Sequence, residues 1–265
     1  MYINDLAITS LETITAFDIT TGAYKFTIDE LQNASIAQAQ ETTDITGKQG
    51  RVISTLKKNK TVTVSGTNGL VSGGLLETQT GGTFANKATE VLWADYLTVA
   101  SGEATTSYKA IGTTGAEIEA LYIKNSDGTL GTKLEQDSTA AAGKFAYAPA
   151  TKKLTFHTDV AAGSEVIVYY KRKITADVLD NEASTYSGKL TLYIDALAED
   201  KCGNIYRVQF YIPKADFSGE FTLELGDNQT THAFEAKALA GGCGGNGQLW
   251  SYTVFGSDTA DYVGA

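Results

Sequence analysis

The residues that could do chemistry in this chain form two small sets. Gly242, Gly244 and Gly247 have GxGxxG spacing, which holds a pyrophosphate when a strand precedes it and a helix N-terminus follows it. Here a strand-like run follows the glycines, so we interpret them as a loop. His157 and His232 are the two histidines of the chain, and no neighbouring residue marks a nucleophile or a metal site. We expect structural roles for both.

Carboxylates and cysteines add no clearer catalytic signal. Aspartates and glutamates are scattered along expected strands and turns, so their spacing does not define an acid–base pair. Cys202 and Cys243 have no CxxC spacing, and the sequence leaves open whether they pair. GxSxG, HExxH, P-loop and EF-hand patterns do not occur. The sequence therefore predicts a protein that is not an enzyme and uses no cofactor or metal.

Composition and periodicity predict an all-β fold. Only 2 of the 265 residues are proline, 27 are glycine, and the hydrophobic fraction is 42%, which suits half-buried β structure with a real core. Apolar and polar residues alternate with period two in many segments, as expected of strands. These segments are YKFTI from Tyr24, TVTVS from Thr61, KLTFH from Lys153, EVIVYYKRK from Glu165, KLTLYIDAL from Lys189, NIYRVQFYI from Asn204, EFTLEL from Glu220 and LWSYTVF from Leu249.

Helix signals and domain boundaries are few. The stretches from Leu70 to Thr80 and from Thr175 to Ala183 could each form a short helix, the second capped by Thr175 or Asp177. Residues 83–174 are rich in alanine, threonine and glycine, without a proline-rich linker on either side. The sequence predicts one domain over residues 1–265, in which residues 83–174 are an inserted lobe or an elaborated hairpin.

The charge of the chain limits its partners. The formal net charge is −10, so the molecule repels polyanions, and ordinary nucleic-acid binding is not expected. The N-terminus lacks a basic start followed by an apolar stretch, and no run of about 18 apolar residues occurs. We expect a protein that is neither secreted through a signal peptide nor embedded in a membrane.

A contact surface is indicated between residues 41 and 82. Alternation along TVTVS buries Val62 and Val64 and leaves an uncharged polar face for water or another subunit. Before it, ETTDITGKQGR from Glu41 to Arg51 has the glycines and the mixed charges of a loop that meets a partner. The sequence predicts that this loop contacts a second copy of the chain.

Two runs of the chain resemble the major tail tube proteins of long-tailed bacteriophages. The first is FTIDELQNASIAQAQETTDITGKQGRVISTLKKNKTVTVSGTNGLVSGGLLETQTGG, from Phe26 to Gly82. The second comprises IYRVQFYIPKADFSGEFTLEL, THAFEAKAL and LWSYTVF near the C-terminus. Together they cover about half of the chain, and residues 83–174 match less clearly.

The resemblance implies a tail-tube-type β-sandwich or barrel with one short flanking helix, whose copies form hexameric rings that stack into a hollow tube. Strands of each copy would line the lumen, and a long loop would reach the adjacent ring. Carried onto this chain, that loop is Glu41 to Arg51 and the helix is Leu70 to Thr80. The expected inter-subunit and inter-ring contact residues are Glu41, Asp44, Lys48, Arg51, Lys57, Lys58 and Lys60.

A closed ring also gives the sheet edges and the acidity a physical role. Joining strands of several copies removes exposed edges that otherwise pair without control. Phage DNA would pass an acidic bore without specific binding, although alternation does not identify the lumen face. A solvated surface is the alternative role of the lysines. Implied further partners are the tape-measure and tail terminator or tip proteins, in a virion tail assembled in the host cytoplasm.

Other functions remain open from the sequence. The tube of a contractile injection system uses a similar ring, and a neighbouring sheath gene would indicate it. A β-sandwich surface module, such as an adhesin or a decoration domain, would instead be a soluble monomer that binds glycan or capsid. A carbohydrate-acting enzyme is the third possibility, and no sequence motif supports it.

Overall fold

A computed structural model describes residues 5–224, 230–240 and 247–256 of the chain. The chain divides into two compact units. The first unit comprises Met1–Phe84 and Leu179–Ala265, and the second comprises Ala85–Val178. Both are built mainly of strands, and one short α-helix occurs among the described residues. The prediction of an all-β fold with a short helix is confirmed.

The first unit is one nine-stranded sheet that curls into a half-barrel. Its main path has the order β2-β1-β12-β13-β15-β4-β3, while β14 pairs with β15 and β16 pairs with β13. All of its strand pairs are antiparallel. Its elements are β1 (Leu6–Asp18), β2 (Tyr24–Ile28), β3 (Leu31–Thr46), β4 (Val52–Asn68), α1 (Gly73–Thr80), β12 (Lys189–Asp200), β13 (Ile205–Phe217), β14 (Leu223–Glu224), β15 (Thr231–Ala238) and β16 (Ser251–Gly256).

Period-two alternation builds the core of the first unit. Along β12 the buried residues are every second one, from Leu190 through Ile194 to Ala198, and the residues between them face away from the core. Successive side chains of a strand point to opposite faces, so one face of each strand packs inward. Facing side chains of β1, β4, β13 and β15 complete the apolar cluster.

Helix α1 covers one part of this core. Ser72 caps its N-terminus by accepting a hydrogen bond from the Leu75 amide over 3.4 Å, and the buried Leu75 joins the core. The helix ends at Gly81, whose φ of 72° is left-handed and whose amide donates to the Glu77 carbonyl. The helix predicted from Leu70 is present, and it begins three residues later because Ser72 is its cap.

Gly81 also lies against the chain backbone, which gives a testable prediction. A Cβ at this position would be 2.2 Å from the Tyr186 carbonyl oxygen, so Gly81→Ala is expected to lower the free energy of unfolding by strain and by steric clash. Gly22 is a matched control, because its φ is 68° and nothing lies within 4 Å of its added Cβ.

Gly22→Ala should cost about 1–2 kcal/mol from backbone strain alone, and Gly81→Ala about 2 kcal/mol more. Urea unfolding of both variants measures the difference. Equal costs would show that the contact with Tyr186 is not tight.

The second unit is a separate seven-stranded sheet of order β5-β11-β7-β8-β9-β10-β6. Only the β8–β9 pair is parallel among its ladders. Its own apolar core includes Leu121, Leu154 and Val168, all fully buried. Its strands are β5 (Ala85–Thr98), β6 (Glu103–Thr105), β7 (Ile118–Lys124), β8 (Leu130–Asp137), β9 (Lys144–Ala148), β10 (Lys153–Phe156) and β11 (Glu165–Val178).

The prediction of a second helix from Thr175 to Ala183 is wrong. Thr175 to Val178 are the last residues of β11, paired in register with residues 85–88 of β5. Residues 179–183 are not helical. Thr175 and Val178 are β-branched and favour strands, and the long ladder with β5 outweighs the capping potential of Thr175 or Asp177.

Candidate functional site

The outer part of the β3–β4 hairpin projects from the first unit. We define residues 39–61 as the arm. Every residue of the arm is exposed except Gly47, which is half-buried. The side chains of the arm therefore do not pack into the core of their own unit, and they are free to contact another molecule.

The expected loop from Glu41 to Arg51 is wrong, because most of it is strand. Residues 41–46 belong to β3 and pair with residues 52–58 of β4, so the turn itself is only residues 47–51. The segment is rich in threonine and isoleucine, which favour strands, and its charges and glycines suggested a loop. The Gly47 amide donates to the Arg51 carbonyl over 2.7 Å and closes the turn.

All seven predicted contact residues lie on the arm. Two are on β3, two are in or beside the turn, and three are on β4. They are Glu41, Asp44, Lys48, Arg51, Lys57, Lys58 and Lys60. None of the seven forms an ion pair with another residue in the described part of the chain. Whether they contact another subunit stays a prediction.

Hydrogen bonds within the arm hold its carboxylates in place. Asn59 donates its side-chain amide to Glu41 over 2.6 Å, and the Thr55 hydroxyl donates to Asp44 over 2.7 Å. Asn59 has a φ of 51° where the register shifts by one residue in β4, which is a β-bulge. No residue in the described part of the chain is such a partner for the lysines, so the arm presents uncompensated positive charge there.

Apolar side chains of the arm were missed by the sequence reasoning. Ile45, Val52, Ile53 and Leu56 are between 44% and 71% exposed. Register places Thr43 opposite Leu56 and Ile45 opposite Ser54, so Ile45 and Leu56 share one face of the arm. One sequence feature could have identified these side chains: they lie in a strand-forming run that is not part of any predicted helix or core segment.

An open groove lies between β1 and β3 of the first unit. We call this feature the groove, and its volume is about 680 Å³. Ile194 and Ala196 of the core form part of its floor, and Trp250 donates its indole N–H to Gln38 over 3.2 Å. The groove is lined by Ile8, Ser10, Leu11, Leu31, Gln32, Asn33, Ala34, Ser35, Ile36, Gln38, Ile194, Ala196, Phe210 and Trp250.

Both strands beside the groove have unpaired edges. Among the described strands, β3 pairs with β4 alone. β1 pairs with β12 along its length, but β2 covers its other edge only from Ile14 to Phe17. Residues 6–13 of β1 and the whole of β3 therefore have backbone donors and acceptors available to another strand.

The second unit contains a buried carboxylate that the sequence reasoning did not single out. Asp95 is 6% exposed and accepts four hydrogen bonds. The donors are the Ser107 amide (2.7 Å), the Tyr170 hydroxyl (2.7 Å), the Ser107 hydroxyl (2.8 Å) and the Trp93 indole N–H (3.0 Å). Burial raises the pKa of Asp95, but the four hydrogen bonds together outweigh it and lower the pKa.

The same network orders an aromatic stack. The Arg172 guanidinium lies 3.6 Å from the centroid of the Tyr108 ring and 4.8 Å from that of Trp93, a cation–π arrangement. Asp95 fixes both rings, because it binds the Trp93 indole and the amide just before Tyr108. Asp95 joins β5 to β11 through Tyr170 and to the segment around Ser107, so the cluster stabilises the second unit.

The two histidines have structural contacts in different environments. His157 is on the surface and contacts Asp159 over 3.0 Å. His232 is fully buried, with Nε2 2.7 Å from the side-chain Oε1 of Gln79 and Nδ1 accepting from the Ser72 amide over 3.3 Å. These partners require a neutral ring with the proton on Nε2, and the ring ties α1 to β15.

His232 predicts a loss of stability in weak acid. Burial lowers the pKa of His232 below its ordinary value of 6.5, so the unfolded chain binds a proton more readily than the native one. Stability should therefore fall as the pH drops below about 6.5 and continue to fall until the folded-state pKa is passed.

Urea unfolding between pH 7.5 and 5.5 measures this loss. His232→Gln should remove the slope, and His157→Gln should keep it. A slope that survives in His232→Gln would contradict the assignment.

Other site types are not found in the described part of the chain. No group of three or more histidine, cysteine, aspartate or glutamate residues could hold a metal ion there. No helix within those residues is long and apolar enough to cross a membrane. Gly242, Gly244 and Cys243 lie outside the described residues, so neither the glycine loop nor a Cys202–Cys243 pair is observed.

An exposed arm, two unpaired sheet edges and an open apolar groove define a β-rich structural protein that associates with other chains. A family model agrees: that of the YomU/Tube protein family matches residues 6–251. The chain belongs to this family and is a structural protein of the phage tail tube, which confirms the predicted resemblance. It self-associates into the tube of a virion tail. No curated protein matches the chain.

Proposed function

We propose that this protein forms hexameric rings that stack into a tube through which phage DNA leaves the virion. The observation that carries the proposal is the pair of unpaired edges on the first unit. β3 offers one edge from Leu31 to Gln38, before the arm begins, and residues 6–13 of β1 offer another on the opposite flank of the sheet order. Edges of this length normally pair or are covered in stable proteins.

Two different edges favour a ring over a two-fold dimer. When β3 of one copy meets the β1–β2 side of the next, each copy uses one edge as donor and the other as acceptor. Such head-to-tail contacts generate closed rings when the rotation between copies completes a circle. The closed ring then leaves no free edge, as in any β-barrel.

The arm is the part of the chain that we assign to contact between rings. Its length beyond the sheet is roughly 25 Å at about 3.3 Å per residue, and its side chains do not pack on their own unit. The predicted contacts of Glu41, Asp44, Lys48, Arg51, Lys57, Lys58 and Lys60 belong to this junction. The lysines lack carboxylate partners in the described part of the chain, and a neighbouring copy of this acidic protein can supply them.

The net charge supports passage of DNA without binding. The chain has 31 acidic and 21 basic residues, and negative potential repels phosphate in the absence of clustered Lys and Arg on the wall. Free duplex DNA should therefore show no retention by the assembled protein at physiological salt. Retention of DNA that weakens with salt would contradict an acidic bore.

The second unit is an insertion in this scheme. Residues 83–174 are predicted to be an inserted lobe or an elaborated hairpin, and Ala85–Val178 have their own sheet and core. We propose that this unit is an insertion in a single tail tube domain and that tube formation does not need it. Tape-measure, tail terminator and tip proteins are the further partners of the assembled tube, and assembly occurs in the host cytoplasm.

Native mass spectrometry of the purified protein tests ring formation. At concentrations too low for long tubes, the expected species has six times the 28.1 kDa mass of the chain. A monomer or dimer as the largest species would count against the ring, and another closed stoichiometry would replace the number six.

A further inference from the structure

Core residues of the first unit form the floor of the groove. Ile194 and Ala196 are buried core residues, yet both line the groove. Beside them, Ile8 is 51% exposed. Four further apolar residues of the lining are only half-buried, namely Leu11, Ile36, Phe210 and Trp250. Covering an apolar surface of this kind with another apolar surface removes both from water, which is favourable.

The arm carries a complementary apolar surface that its own unit leaves uncovered. Ile45 and Leu56 lie on one face, as diagonal neighbours across the β3–β4 ladder, and are 44% and 55% exposed. Diagonal side chains on an antiparallel pair lie about 7–8 Å apart at the backbone. A two-stranded hairpin therefore presents both side chains to one apolar recess.

Charge is also complementary between the arm and the groove border. The arm has five basic residues against two acidic ones, which leaves sixteen basic and twenty-nine acidic residues for the rest of the chain. Glu12 accepts a hydrogen bond from Ser10 of the groove over 2.6 Å, and Glu30 directly precedes Leu31 of the groove. Neither glutamate is in an ion pair within the described residues, so both can receive lysines.

We propose that the Ile45–Leu56 face of one copy's arm seats in the groove of a second copy. Glu12 and Glu30 then receive lysines of the arm. This inference rests on the proposed stacking of rings. It adds the surface on the next ring that receives the arm. Each copy has one arm and one groove, so the contact is head-to-tail and continues from ring to ring without closing.

This contact explains two features together. Burying Ile45 and Leu56 removes exposed apolar side chains from the arm, and filling the groove covers its exposed and half-buried apolar side chains. Electrostatic attraction between a basic arm and an acidic border selects the correct orientation and register. Stacking should accordingly weaken as salt concentration rises.

Cysteine cross-linking between two separate chains tests the proposal. Leu56→Cys is introduced in one chain and Ile8→Cys in another, both with Cys202→Ser and Cys243→Ser, and the two are mixed, assembled and oxidised. A disulfide needs Cβ atoms about 3.5–4.5 Å apart, so seating of the arm should give about tenfold more linked dimer than a non-contacting pair. Thr42→Cys, on the opposite face of the arm, is the matched control.

Three results would overturn the proposal. Tubes without a linked dimer, or with equal linkage from Thr42→Cys, would leave ring stacking intact and remove the groove as acceptor. Absence of both tubes and linkage would remove the proposed function as well. The third result comes from thiol labelling of Ile8→Cys in unassembled protein. Labelling should be fast there and slow in tubes, and slow labelling before assembly would show that the groove is already covered within a single chain.

Discussion

A variant with a shortened arm is expected to form rings and no tubes. Residues 42–57 are replaced by Asn-Gly, which joins Glu41 to Lys58. These two residues face each other in the β3–β4 register, and Asn-Gly is the preferred two-residue turn between such a pair. The change removes the contact between rings and leaves both sheet edges in place.

The variant should remain folded because the removed residues add little to the core. All of them are exposed except the half-buried Gly47, and the buried part of β4 begins at Val62. We expect a change in unfolding free energy within about 1 kcal/mol, as for surface changes. The loss of tubes should nevertheless be complete, since a ring without the arm has nothing to place in the groove of the next ring.

Electron microscopy and native mass spectrometry distinguish the possible outcomes for the shortened arm. Rings without tubes fit the assignment of the arm to the inter-ring junction. Tubes of normal length would show that the junction is elsewhere. A monomer that is still folded would place the arm in the ring contact instead.

The second large effect is expected at Asp95. Asp95→Asn replaces an acceptor of four hydrogen bonds with a side-chain amide whose NH₂ group faces two of the donors, so at least two donors lose their acceptor. The second unit should lose about 2–4 kcal/mol of stability. Urea unfolding followed by tryptophan fluorescence measures this, because Trp93 is bound to Asp95.

Asp127→Asn is the matched control for Asp95→Asn. Asp127 also accepts backbone and side-chain hydrogen bonds, both from Thr129, but its bonds are exposed to water. It should cost less than about 1 kcal/mol. Equal costs for the two variants would contradict the structural role of burial at Asp95. Tube formation by the first unit should survive Asp95→Asn if the second unit is an insertion.

Much of the fold could be predicted from the sequence because the strands alternate clearly. In β12 and β15, every second side chain is buried, and this pattern is visible in the residue types. Ser72 and Gly81 bound α1 by ordinary capping chemistry. The lysines of the arm were also recognised as a surface for contact, although their contacts stay untested.

Features that depend on pairing between distant residues could not be predicted. The sequence predicts a loop at the outer end of β3, because glycines and mixed charges are typical of loops and nothing local identifies its partner residues in β4. Thr175 to Val178 had local helix signals, and only the ladder with β5 makes them a strand. The groove joins residues of β1, β3, β12 and β13 with Trp250, and nothing local in the sequence brings them together.

Negative-stain electron microscopy of the purified protein at increasing concentration tests the central claim most directly. The predicted result is stacked rings that grow into hollow tubes. The variant with the shortened arm should show rings without tubes. Isolated monomers at every concentration, with the edges of β1 and β3 left unpaired, would contradict the account.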